Sequence, residues 1–243
     1  MSSARRWTSA AFALTGAISA ASLSSPASAA VFNGTARGIS HTFHSTSSNW
    51  SGYAATGRQF TSVSATWTQP AVSCGSQTTY SSFWVGLDGD GSNSVEQTGS
   101  EADCSGGRAV YSSWYEMYPK YPVNFSNPVS PGDVFHASVT YKGGGGFTLV
   151  LSDQTKGWSH TINATLNNPA LASAEVIAEA PSSSSGVLPL ANFGTARFSS
   201  STANGSPLAN FSPDKITMAG GSTTKAVPSS ISGGTFSVAW KHS

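Results

Sequence analysis

The chain has 243 residues, and all-β sandwiches and barrels reach this length as one domain. Its 12 basic and 11 acidic residues make up only 9% of the sequence, against roughly 25% in an average globular protein. The sequence has no basic run that could neutralise a phosphate backbone, which argues against a nucleic-acid-binding protein.

Residues 1–29 have the organisation of a secretory signal peptide. Arg5 and Arg6 supply a positive start, residues 10–23 form an apolar stretch, and the small residues at 27–29 form a cleavage site. Outside this segment, no apolar run approaches the ~18 residues of a membrane span. We therefore expect a secreted, extracellular protein with no membrane partner.

The rest of the chain divides into a short polar segment and a long region of strand-like patterns. Residues 30–47 are polar and show no alternation, so we predict a short pro-segment or flexible arm. Across residues 48–243, short runs of alternating apolar residues are separated by Gly, Pro and Asn at intervals typical of sandwiches and barrels. No stretch keeps a helical period long enough for a confident helix. We predict one all-β domain and expect it to be a monomer.

Alternation and turn residues place a series of strands in this domain. The predicted strands span residues 51–55, 62–68, 83–87, 94–98, 109–118, 134–141, 147–152, 158–164, 174–180, 194–198, 215–218 and 235–240. The glycine run at 143–146 is expected to turn the chain between two of them, because glycine reaches positive φ at low cost.

Cys74 and Cys104 are the only cysteines of the chain. In an exported protein such a pair is expected to be oxidised. We therefore predict a disulfide that closes the segment containing Gln97.

Strand alternation decides which polar side chains share a face, because residues two apart point the same way. Gln97 therefore points away from its neighbour Glu96. The same rule groups aromatic with acidic residues or acids with one another: Trp84 with Asp88, Trp114 with Glu116 and Tyr118, and Glu175 with Glu179. A dry core would not accept these groups unpaired, so we expect a concave polar and aromatic surface that binds an extended peptide or glycan.

Motifs disfavour several classes of hydrolase. The sequence has no GxSxG elbow for a serine nucleophile, and the expected disulfide occupies both cysteines. Histidine spacing lacks a zinc-binding pattern, so we expect no metal and no cofactor. Carboxylate chemistry remains, either in a two-carboxylate glycosidase or in a peptidase whose carboxylate activates water. Spacing alone does not choose between the two.

Several blocks of sequence together resemble the glutamic peptidases, also called eqolisins. In chain order they are Asn49-Trp-Ser-Gly52, Val63-Ser-Ala-Thr66, Trp84-Val-Gly-Leu-Asp-Gly89, Gln97-Thr-Gly99, Trp114-Tyr-Glu-Met-Tyr-Pro119, Ala174-Glu-Val-Ile-Ala-Glu179 and Leu190-Ala-Asn-Phe-Gly194. Each block alone is weak, and their shared order and spacing make the resemblance specific. It implies a β-sandwich of two curved antiparallel sheets, with a Gln/Glu dyad facing across the concave sheet.

By position in these blocks, the resemblance implies that Gln97 and Glu179 are catalytic and that Glu175 is not. Glu179 would take a proton from the attacking water and return it to the leaving amine. Gln97 would donate an N–H group to the oxyanion, which an amide can do at every pH.

The resemblance also implies supporting roles in substrate contact and orientation for Trp50, Trp84, Asp88, Glu116 and Tyr118. The chain departs from the family pattern at Ala180-Pro181, where an acidic and then an aromatic residue is common, and at Ser112, where fungal members have an acid. These departures leave the dyad in place and bear on subsite preference and on the pH profile.

The sequence thus predicts a secreted, metal-independent acid endopeptidase with polypeptide substrates. The alternative is a jelly-roll glycanase or glycan-binding module that uses the same acidic and aromatic face. A catalytically dead member of the fold is disfavoured, because both Gln97 and Glu179 are present.

Overall fold

The computed structural model of the chain describes residues 44–184 and 186–243. Nearly all regular structure in these residues is β-strand. In chain order the elements are β1 (His44–Ser47), β2 (Trp50–Ala55), β3 (Ser62–Thr68), β4 (Ser82–Leu87), β5 (Val95–Ser105), β6 (Arg108–Tyr118), β7 (Val123–Asn124), β8 (Val134–Gly143), β9 (Gly146–Asp153), β10 (Trp158–Thr165), β11 (Ala174–Glu179), β12 (Ser182–Ser183), β13 (Gly186–Val187), β14 (Thr195–Ala203), β15 (Ser206–Pro207), a 3-10 helix (Leu208–Phe211), β16 (Asp214–Gly220), β17 (Thr223–Pro228) and β18 (Phe236–Trp240).

The strands form one long antiparallel path that folds back on itself. Its order is β10-β9-β8-β3-β14-β18-β17-β16-β2-β11-β4-β5-β6-β7, and β1 adds to β16 in parallel. We call β10, β9, β8, β3, β14 and β18 layer 1, and β16, β2, β11, β4, β5, β6 and β7 layer 2. Strand β17 connects the two layers. Trp67 and Phe135 of layer 1 share a core with Phe83 and Val176 of layer 2. The two layers therefore form a β-sandwich, which confirms the predicted fold class.

The two layers differ in how they are buried. In β3, β8 and β9 of layer 1, buried residues alternate with more exposed ones, as expected when one face meets the core. In layer 2, β2, β4 and β11 are buried along their whole length. Their outer face carries a second cluster of buried apolar residues: Trp50, Ala54, Trp84, Val95, Trp114, Ile177 and Ile216, with Tyr118 packed against them. We call it the tryptophan cluster.

Each predicted strand overlaps an observed one, and the glycine turn is confirmed. Gly144 and Gly145 connect β8 to β9 with φ values of +59° and +79°. The sequence pattern missed β17, whose first residues are polar and exposed, and several two-residue strands. Among the described residues, no helix has the length and apolarity to cross a membrane.

The last residues of the predicted pro-segment or flexible arm form a strand, which the sequence pattern did not predict. His44–Ser47 forms β1, which pairs in register with Lys215–Met218 of β16. The polar side chains hid this strand, because its order comes from backbone pairing rather than from apolar burial. Residues 30–43 of the predicted arm and the predicted signal peptide lie outside the described residues.

The predicted disulfide is confirmed. Cys74 and Cys104 are bonded, with their Cα atoms 5.4 Å apart. The bond ties the loop after β3 to β5, the strand that carries Gln97.

Candidate active site

The tryptophan cluster is the base of the candidate site, and glycines make room for it. Trp84 on β4 packs edge-on against Trp50 on β2, with ring centroids 5.0 Å apart. Gly99 lies opposite Trp84, and a Cβ added there would come within 2.6 Å of the Trp84 Cβ. A Cβ at Gly86 would come within 2.9 Å of the Trp84 ring. A larger residue at either position would therefore displace Trp84.

Glu179 is the last residue of β11 and is held by two neutral donors. Trp84 Nε1 donates to Oε2 at 2.7 Å, and Asn49 Nδ2 donates to Oε1 at 3.0 Å. The side chain is almost fully buried. This burial is the main cause that raises the pKa of Glu179 well above its usual range; the bond from Trp84 opposes it, and nearby Glu116 adds to it.

Gln97 on β5 lies opposite Glu116 on β6, and their side chains touch. The Gln97 amide and Glu116 Oε2 are 2.6 Å apart. Burial raises the pKa of Glu116 to about 8, and the bond to Gln97 opposes that rise. The charge of Glu116 also raises the pKa of Glu179, so the carboxyl groups of Glu116 and Glu179 are close enough to interact electrostatically. The predicted partners Gln97 and Glu179 are thus linked through Glu116.

Glu96 points to the opposite side of β5, as strand alternation predicted. It pairs with Leu87 and Met117, and both of these belong to the core between the layers. Burial raises the pKa of Glu96 to about 8, with a further contribution from Asp88. The buried carboxyl next to Gln97 in sequence is therefore separated from it by the sheet.

Asp88 is not placed as the alternation argument predicted. Strand β4 ends at Leu87, and Asp88 has a φ of +66°, so it no longer shares a face with Trp84. Its two carboxylate oxygens accept hydrogen bonds from the backbone N–H groups of Leu171 and Ala172, at 2.9 and 2.6 Å. The structure gives Asp88 a fully buried anchoring contact that holds the segment leading into β11.

The other predicted residues lie on the outer face of layer 2. Trp50 and Tyr118 belong to the tryptophan cluster together with Trp114. Sequence reasoning missed Asn49, whose amide holds Glu179. Its position at the start of the Asn49-Trp-Ser-Gly52 block, directly before Trp50, could have indicated a role for Asn49 in the site.

Layer 1 has a cavity of its own, of about 530 Å³. It is lined by hydroxyl groups such as those of Thr66 and Ser199, and by the guanidinium of Arg197. Its lining residues include no carboxyl group and no carboxamide. The cavity therefore lacks the groups that the predicted hydrolysis requires, and these groups lie on layer 2. In residues 44–184 and 186–243, no group of three or more His, Cys, Asp or Glu side chains is arranged to hold a metal ion.

Chemically, the layer 2 face can supply a base and a hydrogen-bond donor. Glu179 accepts a proton when it is ionised, and its two oxygens are oriented by donors that carry no charge. Gln97 is an amide beside a buried carboxyl, so it can donate or accept there.

Comparison with known proteins identifies relatives of the chain. The Peptidase A4 family model matches residues 48–240. Aspergillopepsin-2 of Aspergillus niger is 30% identical over 181 residues, which cover 65% of this chain and 64% of the relative. The chain thus spans slightly less than two thirds of the length of that curated relative.

Two solved structures share the fold. The crystal structure of scytalido-glutamic peptidase with a transition state analog inhibitor has a TM-score of 0.69 and 27% identity, over 80% of this chain and 98% of that one. SCP-B, a member of the eqolisin family of peptidases in complex with the tripeptide Ala-Ile-His, has a TM-score of 0.65 and 27% identity over the same shares. From the family match over residues 48–240, the chain belongs to the Peptidase A4 family.

Proposed function

We propose that the chain is a secreted, metal-independent acid endopeptidase that uses Gln97 and Glu179 as its catalytic pair. One observation carries this proposal: a buried glutamate with both oxygens held by neutral donors lies near Glu116, and Glu116 contacts the Gln97 amide. Membership of the Peptidase A4 family supports the reaction type, and the relatives with bound inhibitor or tripeptide support polypeptide substrates.

In the first step, ionised Glu179 takes a proton from water as the water oxygen bonds to the scissile carbonyl carbon. The carbonyl electron pair moves to oxygen, and Gln97 N–H donates to the oxyanion that forms. In the second step the C–N bond breaks, and Glu179 returns its proton to the leaving nitrogen. The carboxylate is regenerated, so the cycle needs no redox partner.

Trp84 and Asn49 fix the base for this chemistry. Each donates to a different oxygen of Glu179, so the carboxylate cannot turn away from the face. Both donors are neutral, so they stabilise the ionised form without adding a competing cation. Tyr118 is partly exposed beside them and would contact the peptide, whereas Trp50 is buried in the tryptophan cluster and would help to orient the site.

Acid conditions suit the buried carboxyls of this fold. Burial raises the pKa of Glu96 and of Glu116 to about 8, and it raises that of Glu175 well above its usual range. In acid these groups are protonated, so they place no charges in the folded interior. Burial also raises the pKa of Glu179, and the donors Trp84 and Asn49 oppose that rise. The pKa of Glu179 therefore sets the lower limit of activity, because the base must be ionised.

The test uses the purified, exported protein on denatured protein substrate at acidic pH. We expect digestion that persists in EDTA and in an aspartic protease inhibitor, and that is lost in Gln97→Ala and Glu179→Gln. Glu96→Gln is the matched control, because it replaces a buried carboxyl on the other face of β5 by an amide. Normal digestion by both site variants would contradict the dyad.

The same preparation tests the two remaining parts of the proposal. Turnover of β-glucan or xylan without proteolysis would favour the glycanase, and glycan affinity without turnover would favour the binding module. Recovery of the protein from the culture medium with a new N-terminus is expected for a secreted protein. Retention of the uncut chain in the cells would contradict export.

A further inference from the structure

We propose that Glu116 is a positioning residue that sets the direction of the Gln97 amide, so that the site is competent when Glu116 is protonated and loses competence when it is ionised. The inference rests on the proposed role of Gln97 as the oxyanion donor. Glu116 does not touch the reacting atoms in this account. It acts through the amide that does.

The contact between the two side chains can be made in two ways. The oxygen and nitrogen of a carboxamide exchange places when the group turns by 180°, and the hydrogen-bond network decides between the two orientations. With Nε2 toward Glu116, the Gln97 N–H donates a hydrogen bond to the carboxylate, and Gln97 Oε1 is buried without a hydrogen-bond partner in the described chain. With Oε1 toward Glu116, the acid O–H donates to it, and both N–H bonds of Gln97 are free for a substrate oxygen.

The separation of 2.6 Å favours the second arrangement. Hydrogen bonds from N–H to oxygen are about 2.7–3.2 Å long, and charge-assisted ones about 2.7–2.9 Å, whereas O–H···O hydrogen bonds span about 2.5–3.0 Å. An acid proton between Glu116 and Gln97 Oε1 therefore accounts for the distance better than an amide proton does. It also provides the unpartnered Gln97 oxygen with a donor.

The groups around Glu116 determine which carboxyl of the site carries the charge. Two further carboxyl groups interact with Glu116. Glu101 on β5 raises the pKa of Glu116, and Glu116 raises the pKa of Glu179 on β11. Tyr118 lies two residues along its own strand, Gln97 is uncharged, and neither residue of β7 is titratable. Mutual repulsion between Glu116 and Glu179 favours a single negative charge on the pair.

Hydrogen bonds place that charge on Glu179. Its oxygens accept from Trp84 Nε1, which is a donor only, and from Asn49 Nδ2. Ser47 donates to Asn49 Oδ1, which keeps the Nδ2 side of that amide toward Glu179. Glu116 has Gln97 as its hydrogen-bond partner, and that amide can serve an acid as well as a carboxylate. The competent form is therefore ionised Glu179 beside protonated Glu116. Activity should rise with pH as Glu179 ionises and fall again as Glu116 ionises.

Glu116→Gln tests this directly, because its amide can donate to Gln97 Oε1 at every pH and cannot ionise. The measurement is kcat against pH for one peptide substrate. We expect the upper-pH limb to move up by about one pH unit or more in Glu116→Gln. Glu116→Ala should lower kcat further than Glu116→Gln at the acid optimum, because nothing then orients the amide.

Two controls separate this inference from its alternatives. Glu96→Gln removes a carboxyl of similarly raised pKa from the core face, and we expect it to leave the upper limb in place. Tryptophan fluorescence at each pH shows whether activity is lost by unfolding. If the upper-pH limb of kcat stays in place in Glu116→Gln while Gln97→Ala is inactive, the positioning role of Glu116 is overturned and the proposed function stands. Activity in Gln97→Ala would instead overturn the proposed function.

Discussion

Strand β5 buries polar groups on both of its faces, and the two faces use them differently. On the core side, Glu96 lies among apolar residues near Asp88. On the outer side, Gln97 touches Glu116, and Glu116 acts in turn on Glu179. Burial raises the pKa of Glu96 and that of Glu116 to about 8.

The comparison shows that a raised carboxyl pKa follows from burial and does not by itself identify a site. The outer face differs because neutral donors orient one of its carboxyl groups: Trp84 and Asn49 each donate a hydrogen bond to Glu179. The core face has no counterpart to them: among the described residues no hydrogen bond of good geometry reaches either oxygen of Glu96, and its polar neighbours are Ser94 and the carboxyl of Asp88. Substitutions on the core face are therefore expected to change stability, and substitutions on the outer face to change activity.

Raising the pH should destabilise the fold, and Glu96 should account for much of the effect. Its pKa is about 8 in the folded chain against 4.5 as the ordinary value, so the folded state holds its proton more tightly. This contribution is complete below pH 4.5 and is lost as the pH rises towards 8. One pKa unit is about 1.4 kcal/mol, so the loss amounts to roughly 5 kcal/mol.

The measurement is urea unfolding of wild type and Glu96→Gln at several pH values from 4 to 8. The variant should match wild type in acid and be the more stable protein at the upper end. An equally steep fall in both proteins would show that Glu96 does not carry the dependence.

Removing the disulfide should cost stability and leave the chemistry intact. Cys74 and Cys104 are 30 residues apart in sequence, and a loop of that length implies about 3–4 kcal/mol. Cys104 lies on the core face of β5, by the same alternation that places Glu96 there. Urea unfolding of the double serine variant checks the loss. A change in kcat well below the unfolding temperature would mean that the bond also shapes the site.

Asp88→Ala should destabilise the fold by about 2 kcal/mol, because the backbone N–H groups of Leu171 and Ala172 lose their acceptor. The change also removes a charge that raises the pKa of Glu96, so the stability should depend less on pH. Thermal unfolding at pH 4 and pH 7 measures both effects. Unchanged melting at both values would contradict the anchoring contact.

Trp84→Phe should have the smallest effect of these changes, and it should alter activity, because Trp84 lies on the outer face. It keeps most of the ring packing and removes the donor to Glu179 Oε2. The bond from Trp84 lowers the pKa of Glu179, so its loss should move the low-pH limb of kcat to higher pH. The value at the optimum should drop about tenfold, which corresponds to one hydrogen bond to a charged group. A drop without a shift of the limb would indicate a packing role only.

Much of this arrangement was predictable because period-two alternation is a local property. It placed Gln97 and Glu96 on opposite faces and located the strands, and two cysteines behind a predicted signal peptide predicted the disulfide. The rule failed at Asp88, where a left-handed residue ends β4 and a backbone contact 83 residues away captures the side chain.

The remaining features depend on register and on distant pairing. The contact between Gln97 and Glu116 follows from how β5 and β6 align, and nothing in either strand alone fixes that alignment. Asn49 reaches Glu179 across 130 residues of sequence. Strand β1 exists because β16 offers it a backbone edge, which a polar sequence does not reveal.

The most direct test of the proposed chemistry is kcat/KM for one peptide at acidic pH in three variants that differ by which face of layer 2 they alter. We expect losses of about 10²–10⁴-fold in Glu179→Gln and about 10²–10³-fold in Gln97→Ala. Glu96→Gln should equal wild type while the protein is folded. Wild-type kcat/KM in Glu179→Gln, measured on protein that folds normally, would contradict the assignment of the catalytic base.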